Sequence, residues 1–297
     1  MRISVIIPTY NRKGILAECL SSLFKQSYSK NNFEIIVIDD GSVDETESLV
    51  RMKINEADVE LRYLKQQNRG PAAARNLGIK NAKGEIILFI GDDIISSPIL
   101  LEEHIRYHKQ CLDEKVAVLG YVTWPPETAI TPFMEWLDES GAQFGYRLIK
   151  DPENVLYRFF YTSNVSVKRE FLLKHGLFDE DFPYAALEDI ELAYRLKDKG
   201  LRIVYNKDAL AYHKHRIDKK IFIKRSKIVG RSMAIFHLKH PELKEEYKVF
   251  AKLNLTAVIK KIIWNLPYSI EKIIPKKYLF ASYSYMITNY IKQSYSE

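Results

Sequence analysis

The sequence is poor in cysteine and has no long apolar run. Its 297 residues include two cysteines, Cys19 and Cys111, which are too few for a disulfide framework or a cysteine-rich metal cluster. No window approaches the ~18 to 20 apolar residues of a membrane-spanning helix. The apolar run near the amino terminus, ISVIIP, is too short for a signal peptide. We therefore expect a reducing, cytoplasmic setting and no integral membrane segment.

The sequence also lacks the glycine-rich loops that cradle phosphate groups. Neither G-x-G-x-x-G nor G-x-x-x-x-G-K-[ST] occurs, which excludes the common dinucleotide-binding and P-loop modes. A divalent metal ion is the other common way to hold a diphosphate. No zinc-finger, RNP-like or helix-turn-helix signature accompanies the basic residues, and we expect no nucleic-acid partner.

Strand and helix patterns alternate through the first 122 residues. Short apolar runs predict strands at Ile3–Pro8, Phe33–Asp39, Leu61–Leu64, Ile86–Ile90 and Val116–Val122. Helical patterns predict helices at Ile15–Gln26, Glu45–Glu56, Pro71–Ala82 and Ile99–Leu112. This order predicts an α/β fold with a doubly wound, mainly parallel sheet and helices on both faces.

Charge divides the chain into an acidic body and a basic tail. The net charge is +7, but residues 214–297 hold 18 Lys and Arg against 6 Asp and Glu, a balance of +12. The remaining 213 residues carry a balance of −5. We place the boundary of the tail near residues 213–216.

Two pairs of adjacent acids follow predicted buried strands. Asp39 and Asp40 end one strand, and Asp92 and Asp93 follow another. Ligands of open α/β sheets bind at the carboxyl ends of the strands, and carboxylate oxygens suit Mg²⁺ or Mn²⁺. An isolated pair such as Asp92-Asp93 more often only opens a solvated turn, and one of Asp39 and Asp40 could cap the turn that follows them, but not both.

Four blocks of sequence, taken together and in order, are more specific. They read SVIIPTYNR, IDDGSVDET, NRGPAAARNLGIKNAKGEIILFIGDD and GLFDEDFPYAALEDIELAYRL, and they lie between Ile3 and Lys214. This series resembles family 2 of the inverting, nucleotide-sugar-dependent glycosyltransferases, which have the GT-A fold. The chain departs from the family pattern at Gly91, where many relatives have an aspartate.

The resemblance implies a donor site at the carboxyl edge of the sheet. The loop after the first strand would pack on the nucleobase, Asp39 would read the base, and Asp92 would contact the ribose or donor sugar. Asp93 would bind the metal ion, Mn²⁺ or Mg²⁺, with His213 completing the site. A guanidinium near the start of a helix attracts a diphosphate. The candidate nucleotide-binding residues are Pro8, Thr9, Tyr10, Asn11, Asp39, Asp40, Arg69, Arg75 and Asp92. The alternatives are core packing for Tyr10 and a solvated surface for the two arginines and His213.

The fourth block carries the acids assigned to catalysis. Glu188 and Asp189 begin a predicted helix, where the helix dipole stabilises carboxylates without any catalytic role. By resemblance, Asp189 is the general base and Glu188 orients it or contacts the acceptor. Residues 123–161 are irregular and rich in aromatics, which stack on sugars or form ordinary core. Trp124 is assigned to the acceptor site from this segment, and Asn164 is assigned to it by resemblance.

The tail mixes apolar residues with Lys and Arg at helical spacing. Pro241, Pro267 and Pro275 are expected to divide it into short helices. Such helices lie on anionic membrane surfaces, or they pack on the body or form a homo-oligomer. We expect a catalytic GT-A domain at 1–215, with a nucleotide-sugar half at 1–122 and an acceptor half at 123–215, and a basic helical region at 216–297.

The expected function is transfer of a sugar from a nucleotide-diphosphate donor, with UDP favoured over GDP and dTDP. The acceptor would be a hydroxyl of a saccharide or lipid-linked glycan, and the enzyme would be cytoplasmic or peripheral at the inner face of the membrane. The alternative is a non-catalytic protein of the same fold that acts as a scaffold or on a membrane surface. The acids Asp39, Asp93 and Asp189 argue for an enzyme, because each of the three roles needs one.

Overall fold

A computed structural model describes residues 1–215, 217–245 and 256–296. Parts of the predicted tail region, namely residues 216, 246–255 and 297, lie outside the described residues. The chain divides into two compact units: unit 1 comprises Met1–Pro126 and Ile149–His215, and unit 2 comprises Glu127–Leu148 and Arg216–Glu297. The functional assignments of the predicted ranges 1–122, 123–215 and 216–297 stay predictions.

Unit 1 is built on one sheet of eight strands. The strands are β1 (Ile3–Thr9), β2 (Phe33–Asp39), β3 (Glu60–Lys65), β4 (Ile86–Ile90), β5 (Ile94–Ser96), β6 (Val116–Thr123), β7 (Asn164–Lys168) and β8 (Arg202–His213). Their order across the sheet is β3-β2-β1-β4-β7-β6-β8-β5. β3, β2, β1 and β4 pair parallel with one another in that order, while β7 pairs antiparallel with β4 and β6, and β5 pairs antiparallel with β8. The sheet is therefore mixed and mostly parallel, which confirms the predicted fold class.

β2 and β4 are largely apolar because both of their faces are covered. Every residue of β2 and β4 is buried, as expected for parallel strands that carry helices. β6 pairs parallel with β8, and β8 pairs antiparallel with β5, with His213 opposite Ile94. That last pairing brings the end of β8 beside the acids that follow β4.

The helices of unit 1 follow the strands in the predicted alternation. They are α1 (Lys13–Phe24), α2 (Thr46–Glu56), α3 (Gly70–Asn81), α4 (Leu100–Gln110), then α6 (Arg169–His175) and α7 (Glu188–Lys197), with α5 belonging to unit 2. α3 packs closely on the sheet: a Cβ added to Gly78 would lie 2.7 Å from Ile6 Cγ2 and 2.9 Å from Ile38 Cδ1. Gly70 begins the same helix at φ +89, which favours glycine.

Unit 2 is helical and has an aromatic core. Its helices are α5 (Pro132–Ser140), α8 (Lys219–Lys239), α9 (Thr256–Trp264), α10 (Tyr268–Glu271) and α11 (Lys276–Tyr295). The rings of Phe133, Trp136, Phe222, Trp264 and Tyr283 contact one another. Pro267 and Pro275 immediately precede α10 and α11, which agrees with their predicted role as breaks between helices. Within the described residues, no helix combines the length and apolarity needed to cross a lipid bilayer.

Candidate active site

The carboxyl ends of three adjacent parallel strands carry the predicted donor-site residues. β1 ends at Thr9, which pairs in register with Asp39 at the end of β2. β4 lies on the other side of β1 and is followed by Gly91, Asp92 and Asp93. The fold therefore places both acidic pairs at one edge of the sheet, where open α/β folds bind ligands.

Asp92 and Asp93 are bridged by a single arginine. Arg12 donates from Nη1 to Asp92 Oδ1 at 2.7 Å and from Nη2 to Asp93 Oδ2 at 2.8 Å. Asp92 Oδ2 also accepts a hydrogen bond of 2.8 Å from the Thr9 hydroxyl. Burial raises the pKa of Asp92 to about 6, with the charge of Asp93 adding to this and Arg12 opposing it.

His213 lies against the same carboxylate of Asp93. Its Nε2 is 3.4 Å from Asp93 Oδ2, a consequence of the pairing of His213 with Ile94 across β5 and β8. Burial acts to raise the pKa of Asp93, but the interactions with His213 and Arg12 outweigh burial and lower that pKa. The sequence predictions for Asp93 and His213 thus refer to residues that are neighbours in space.

The separation of these two groups fits a divalent metal ion. Two ligands that share one ion, each about 2.1 Å from it, lie about 3 Å apart. Among the described residues, no group of three or more His, Cys, Asp or Glu side chains is placed to hold a metal. Mg²⁺ commonly takes one or two protein ligands and completes its shell with water and substrate phosphates. The residues present therefore fit an ion that binds together with a diphosphate.

Asp39 and Asp40 are held by neutral donors. Asp39 is fully buried, and its oxygens accept from the Ser42 backbone at 2.7 Å and the Tyr63 hydroxyl at 2.5 Å. Burial and this hydrogen bond to Asp39 raise the pKa of Tyr63. Asp39 sits at the predicted base-reading position with both oxygens already accepting hydrogen bonds.

Asp40 organises the turn into α3. One oxygen accepts from Gln66 Nε2 at 2.7 Å and the Arg69 backbone at 2.9 Å, and the other accepts from the Gly70 backbone at 2.9 Å. The carboxylate thus satisfies backbone donors at a helix start that have no partner within the helix. This contact set is structural, and the nucleotide-binding role assigned to Asp40 stays a prediction.

The two predicted diphosphate arginines occupy different environments. Arg69 is exposed and pairs with Glu180 at 2.5 Å. Arg75 is buried and donates from Nη1 to Glu188 Oε1 at 2.8 Å. The structure therefore brings Arg75 to the predicted catalytic acids and joins α3 to the start of α7.

Glu188 is a buried acid with a raised pKa. Among the described residues, its Oε2 has no hydrogen-bond partner. Burial and the negative charge of Asp189 raise the pKa of Glu188 to about 7, against the lowering effect of Arg75. A carboxyl that titrates near neutral pH is typical of sites that move protons.

Asp189 is half-buried in the first turn of α7. Its Oδ2 accepts from the backbone and hydroxyl of Thr162 at 3.3 and 3.4 Å, and Oδ1 accepts from the Ile190 backbone at 2.9 Å. Leu187, just before the helix, has φ +68, a strained conformation for a branched residue that turns the chain into α7. These contacts fix the carboxylate while leaving part of it open to solvent.

The loop after β1 lies beside an open cleft. Tyr10 is 47% exposed, Pro8 is half-buried, and Asn11 has φ +52. Asn11 Oδ1 accepts from the Val43 and Asp44 backbones at 2.8 and 3.3 Å, which ties this loop to the turn after β2. The cleft has a volume of about 620 Å³ and is lined by Asn11, Arg12, Lys13, Gly14, Ile15, Asp44, Glu45, Lys214 and His215.

The two predicted acceptor residues do not lie together. The Trp124 ring is half-buried, with its centroid 5.9 Å from that of His213, so it borders the metal-site candidates. Asn164 is fully buried. Its amide accepts from His104 at 2.8 Å and donates to the Ala209 carbonyl at 2.8 Å. Asn164 thus joins α4 to β8 in the interior and has no surface open to an acceptor.

Three side chains at the site were not predicted from the sequence. They are Arg12, which bridges Asp92 and Asp93, Tyr63, which bonds Asp39, and Thr162, which bonds Asp189. Arg12 is the last residue of the motif PTYNR and directly follows Asn11, a predicted nucleotide-binding residue. This position was the sequence signal that could have identified Arg12 as part of the site. Tyr63 and Thr162 carry no motif, and only the fold brings them to the acids.

Comparison with known proteins identifies a family and relatives of this chain. The family model for glycosyl transferase family 2 matches residues 4–176. The glycosyltransferase YfnE of Bacillus subtilis (strain 168) is 30% identical over 259 residues, covering 72% of this chain and 64% of that protein. The chain spans 34 to 64% of the lengths of the first three curated relatives it matches.

Solved structures share the fold at low sequence identity. The mannosyltransferase PcManGT from Pyrobaculum calidifontis, in complex with GDP-Man and Mn²⁺, has a TM-score of 0.65 at 20% identity, covering 100% of this chain and 88% of that one. TarS 1-349 of S. aureus, in complex with UDP-GlcNAc, has a TM-score of 0.59 at 19% identity, covering 100% and 92%. These likenesses show the fold, and the family match covers more than half of the chain. The chain belongs to glycosyltransferase family 2.

Proposed function

We propose that this chain transfers a sugar from a nucleotide-diphosphate donor to a hydroxyl of a saccharide or lipid-linked glycan, with inversion at the anomeric carbon. The observation that carries the proposal is the meeting of Asp93 and His213, 3.4 Å apart, at the sheet edge where Asp39 also lies. Two metal-ligand types at a ligand-binding edge are the elements that a diphosphate site requires.

The proposed residues divide the work between donor and acceptor. Asp93 and His213 would hold Mn²⁺ or Mg²⁺ on the diphosphate, and the ion would stabilise the charge on the departing nucleotide. Asp39 would accept the ring N–H of the base, and the loop from Pro8 to Asn11 would pack on it. UDP is the favoured nucleotide, with GDP and dTDP as the alternatives. One of the structural neighbours described above is a UDP-GlcNAc complex and the other a GDP-Man complex.

Asp189 is proposed as the general base. The acceptor hydroxyl gives its proton to Asp189 while its oxygen forms the bond to the anomeric carbon. The bond between that carbon and the diphosphate oxygen breaks, and its electron pair leaves with the nucleoside diphosphate. A single displacement from the opposite face inverts the carbon. Thr162 holds the carboxylate for this step, and Glu188 positions it from the adjacent residue.

The first experiment is calorimetric titration of UDP, GDP and dTDP with and without Mn²⁺, on the native chain and on Asp93→Ala. We expect one nucleotide to bind in a metal-dependent manner, and this binding to weaken at least 100-fold in Asp93→Ala. If no nucleotide binds under any condition, the donor-site proposal fails. The GDP and dTDP titrations decide the choice of base.

A second experiment tests the base directly. Asp189→Asn should bind the donor with native affinity yet release nucleotide from the nucleotide sugar ~10² to 10⁴ times more slowly. Asp198→Asn is the matched control, because Asp198 is an exposed acid just after α7. Equal turnover in the native chain and Asp189→Asn would remove Asp189 from the mechanism.

The helices of unit 2 support a further part of the proposal, a peripheral contact with an anionic membrane surface. Ile259, Ile262, Ile270 and Ile273 are exposed, Ile273 to 81%. Lys261, Lys272 and Lys277 are exposed near them in sequence. The one Asp or Glu between residues 256 and 296 is Glu271, which is buried against Lys219. Exposed isoleucines with lysines and no exposed carboxylate suit an anionic bilayer.

Vesicle sedimentation tests this contact. The native chain should bind phosphatidylcholine vesicles that contain phosphatidylglycerol, and bind pure phosphatidylcholine vesicles at least tenfold more weakly. Ile262→Ser combined with Ile273→Ser should lose most of the binding, whereas Val43→Ser, at a side chain 89% exposed in unit 1, should not. Equal binding to both vesicles, or a concentration-dependent dimer that the double variant abolishes, would contradict the proposal.

A further inference from the structure

Arg12 occupies the carboxylate oxygen that a metal ion would need. Its Nη2 donates to Asp93 Oδ2 at 2.8 Å, and His213 Nε2 faces that same oxygen at 3.4 Å. Its Nη1 simultaneously donates to Asp92 Oδ1 at 2.7 Å. A guanidinium that bridges two carboxylates is held by charge-assisted hydrogen bonds of fixed geometry.

This arrangement solves an electrostatic problem at the sheet edge. The Asp92 and Asp93 side chains are 6% and 14% exposed, and two adjacent buried carboxylates repel each other unless a cation lies between them. Among the arginines and lysines of the described residues, Arg12 is the one whose side chain is paired with these two acids. The site therefore has its own positive charge before any ion enters.

Arg12 also has room to leave. Its side chain is 36% exposed, and it lines the open cleft together with Lys13 and Lys214. The ammonium groups of those two lysines pair with Glu45 and Glu18 respectively and not with the carboxylates of Asp92 and Asp93. A diphosphate in this cleft would offer Arg12 replacement acceptor oxygens, to which guanidinium groups bind bidentately.

We propose that Arg12 is an internal substitute for the metal ion, which neutralises Asp92 and Asp93 until a metal ion and a nucleotide diphosphate together displace it onto the diphosphate. The inference rests on the proposed donor site. A cation bound to Asp93 and the Arg12 guanidinium compete for one oxygen and repel each other, so the metal alone binds weakly. The nucleotide gives Arg12 a new partner and thereby strengthens metal binding, and the coupling is reciprocal.

Mn²⁺ binding measured by electron paramagnetic resonance, without and then with UDP, tests the inference without any turnover. Arg12→Gln should bind Mn²⁺ alone at least tenfold more tightly than the native chain. The increase in Mn²⁺ affinity caused by UDP should shrink by a similar factor. Lys13→Gln is the matched control, because it removes the same charge from the next residue of the same cleft without touching either acid. Mn²⁺ affinity in Arg12→Gln that is equal to or weaker than native would overturn the inference.

If circular dichroism shows that Arg12→Gln does not fold, Arg12→Lys provides a second test. A single ammonium keeps the charge but lacks the planar fork that serves two carboxylates, so the affinity for Mn²⁺ alone should rise about threefold. If it stays within the error of native, the inference is wrong. Asp93→Ala distinguishes a failure of the role proposed for Arg12 from a failure of the proposed donor site. Loss of Mn²⁺ binding there, with native behaviour in the Arg12 variants, would reject only the role of Arg12. Unchanged Mn²⁺ binding in Asp93→Ala would reject the donor site itself.

Discussion

Two acidic pairs follow parallel strands at one edge of the same sheet, yet their charges are satisfied in opposite ways. Asp39 and Asp40 accept from backbone amides, a tyrosine and a glutamine. Asp92 and Asp93 contact a bridging arginine, with a histidine against Asp93. Neutral donors that belong to the backbone cannot leave, whereas a side-chain cation can be exchanged for another cation. The first pair is therefore built into the fold, and the second is suited to a ligand.

The largest effect on stability is expected when the Asp40 carboxylate, which accepts from neutral donors, is removed. Asp40→Ala removes the acceptor for the Gln66 side chain and for two backbone amides, which should lower the free energy of unfolding by about 3 kcal/mol. Urea denaturation measures the change, with Asp58→Asn as the exposed control. A loss of less than about 0.5 kcal/mol would show that the turn into α3 does not depend on Asp40.

Glu188 is an acid that is paired with a cation, as Asp92 and Asp93 are, but it is fully buried. We therefore expect it to make the free energy of unfolding depend on pH. Its pKa is about 7 in the folded chain and about 4.5 when unfolded, so the folded state binds more protons between these values. Its contribution to stability is therefore present below pH 4.5 and is lost as the pH rises through 7, by about 3 kcal/mol. The free energy of unfolding of Glu188→Gln should lack this decline. Parallel pH profiles of the two proteins from pH 5 to 8 would contradict the expectation.

Tyr63→Phe sharpens the comparison at Asp39. The change removes the hydroxyl that donates to Asp39 Oδ2 at 2.5 Å and leaves that buried oxygen without this donor, which should cost about 1 kcal/mol in urea denaturation. Because the freed oxygen becomes available to a nucleobase, UDP affinity should stay within threefold of native. A tenfold loss of UDP affinity at unchanged stability would mean that Tyr63 contacts the nucleotide itself.

Gly91→Ala is the smallest change. A Cβ at residue 91 would lie 3.0 Å from Asp93 Oδ1 and 3.4 Å from Ile94 Cγ1, so the carboxylate has to shift by a few tenths of an ångström. Mn²⁺ affinity in the presence of UDP should fall about threefold, with the stability changed by less than 1 kcal/mol. Gly14→Ala serves as control, since its Cβ would meet no atom within 4 Å.

The strands and acids at this edge were predictable because their signals are local. β2 and β4 are branched apolar runs with acids at or just after their ends, and parallel order puts these ends together. β5 and the antiparallel β7 were not predicted, because β5 has three residues and β7, with the sequence NVSVK, has no continuous apolar run. β8 begins at Arg202 and ends at His213, whereas the pattern ALAYHKH indicates a strand that begins only at Ala209 and continues to His215.

The partners of the acids could not be predicted, because they are set by tertiary structure. Arg12 and Asp92 are 80 residues apart in sequence, and Arg75 and Glu188 are 113 apart. No periodicity relates such residues. Arg75 could be predicted to bind a diphosphate from its place near a helix start, but its burial against Glu188 appears only once α3 and α7 are packed together.

The short pairing of β5 with β8 relates the order in which the chain is synthesised to the assembly of the proposed metal site. Asp93 emerges early, whereas His213 belongs to the strand that completes the sheet, and the two meet only when β8 has paired with β5. A chain in which β8 has not paired with β5 would keep Arg12 between Asp92 and Asp93 but would not bring the two proposed metal ligands, Asp93 and His213, together. Because a ligand stabilises the state that binds it, metal and nucleotide together would stabilise the pairing of β8, the last strand, with β5.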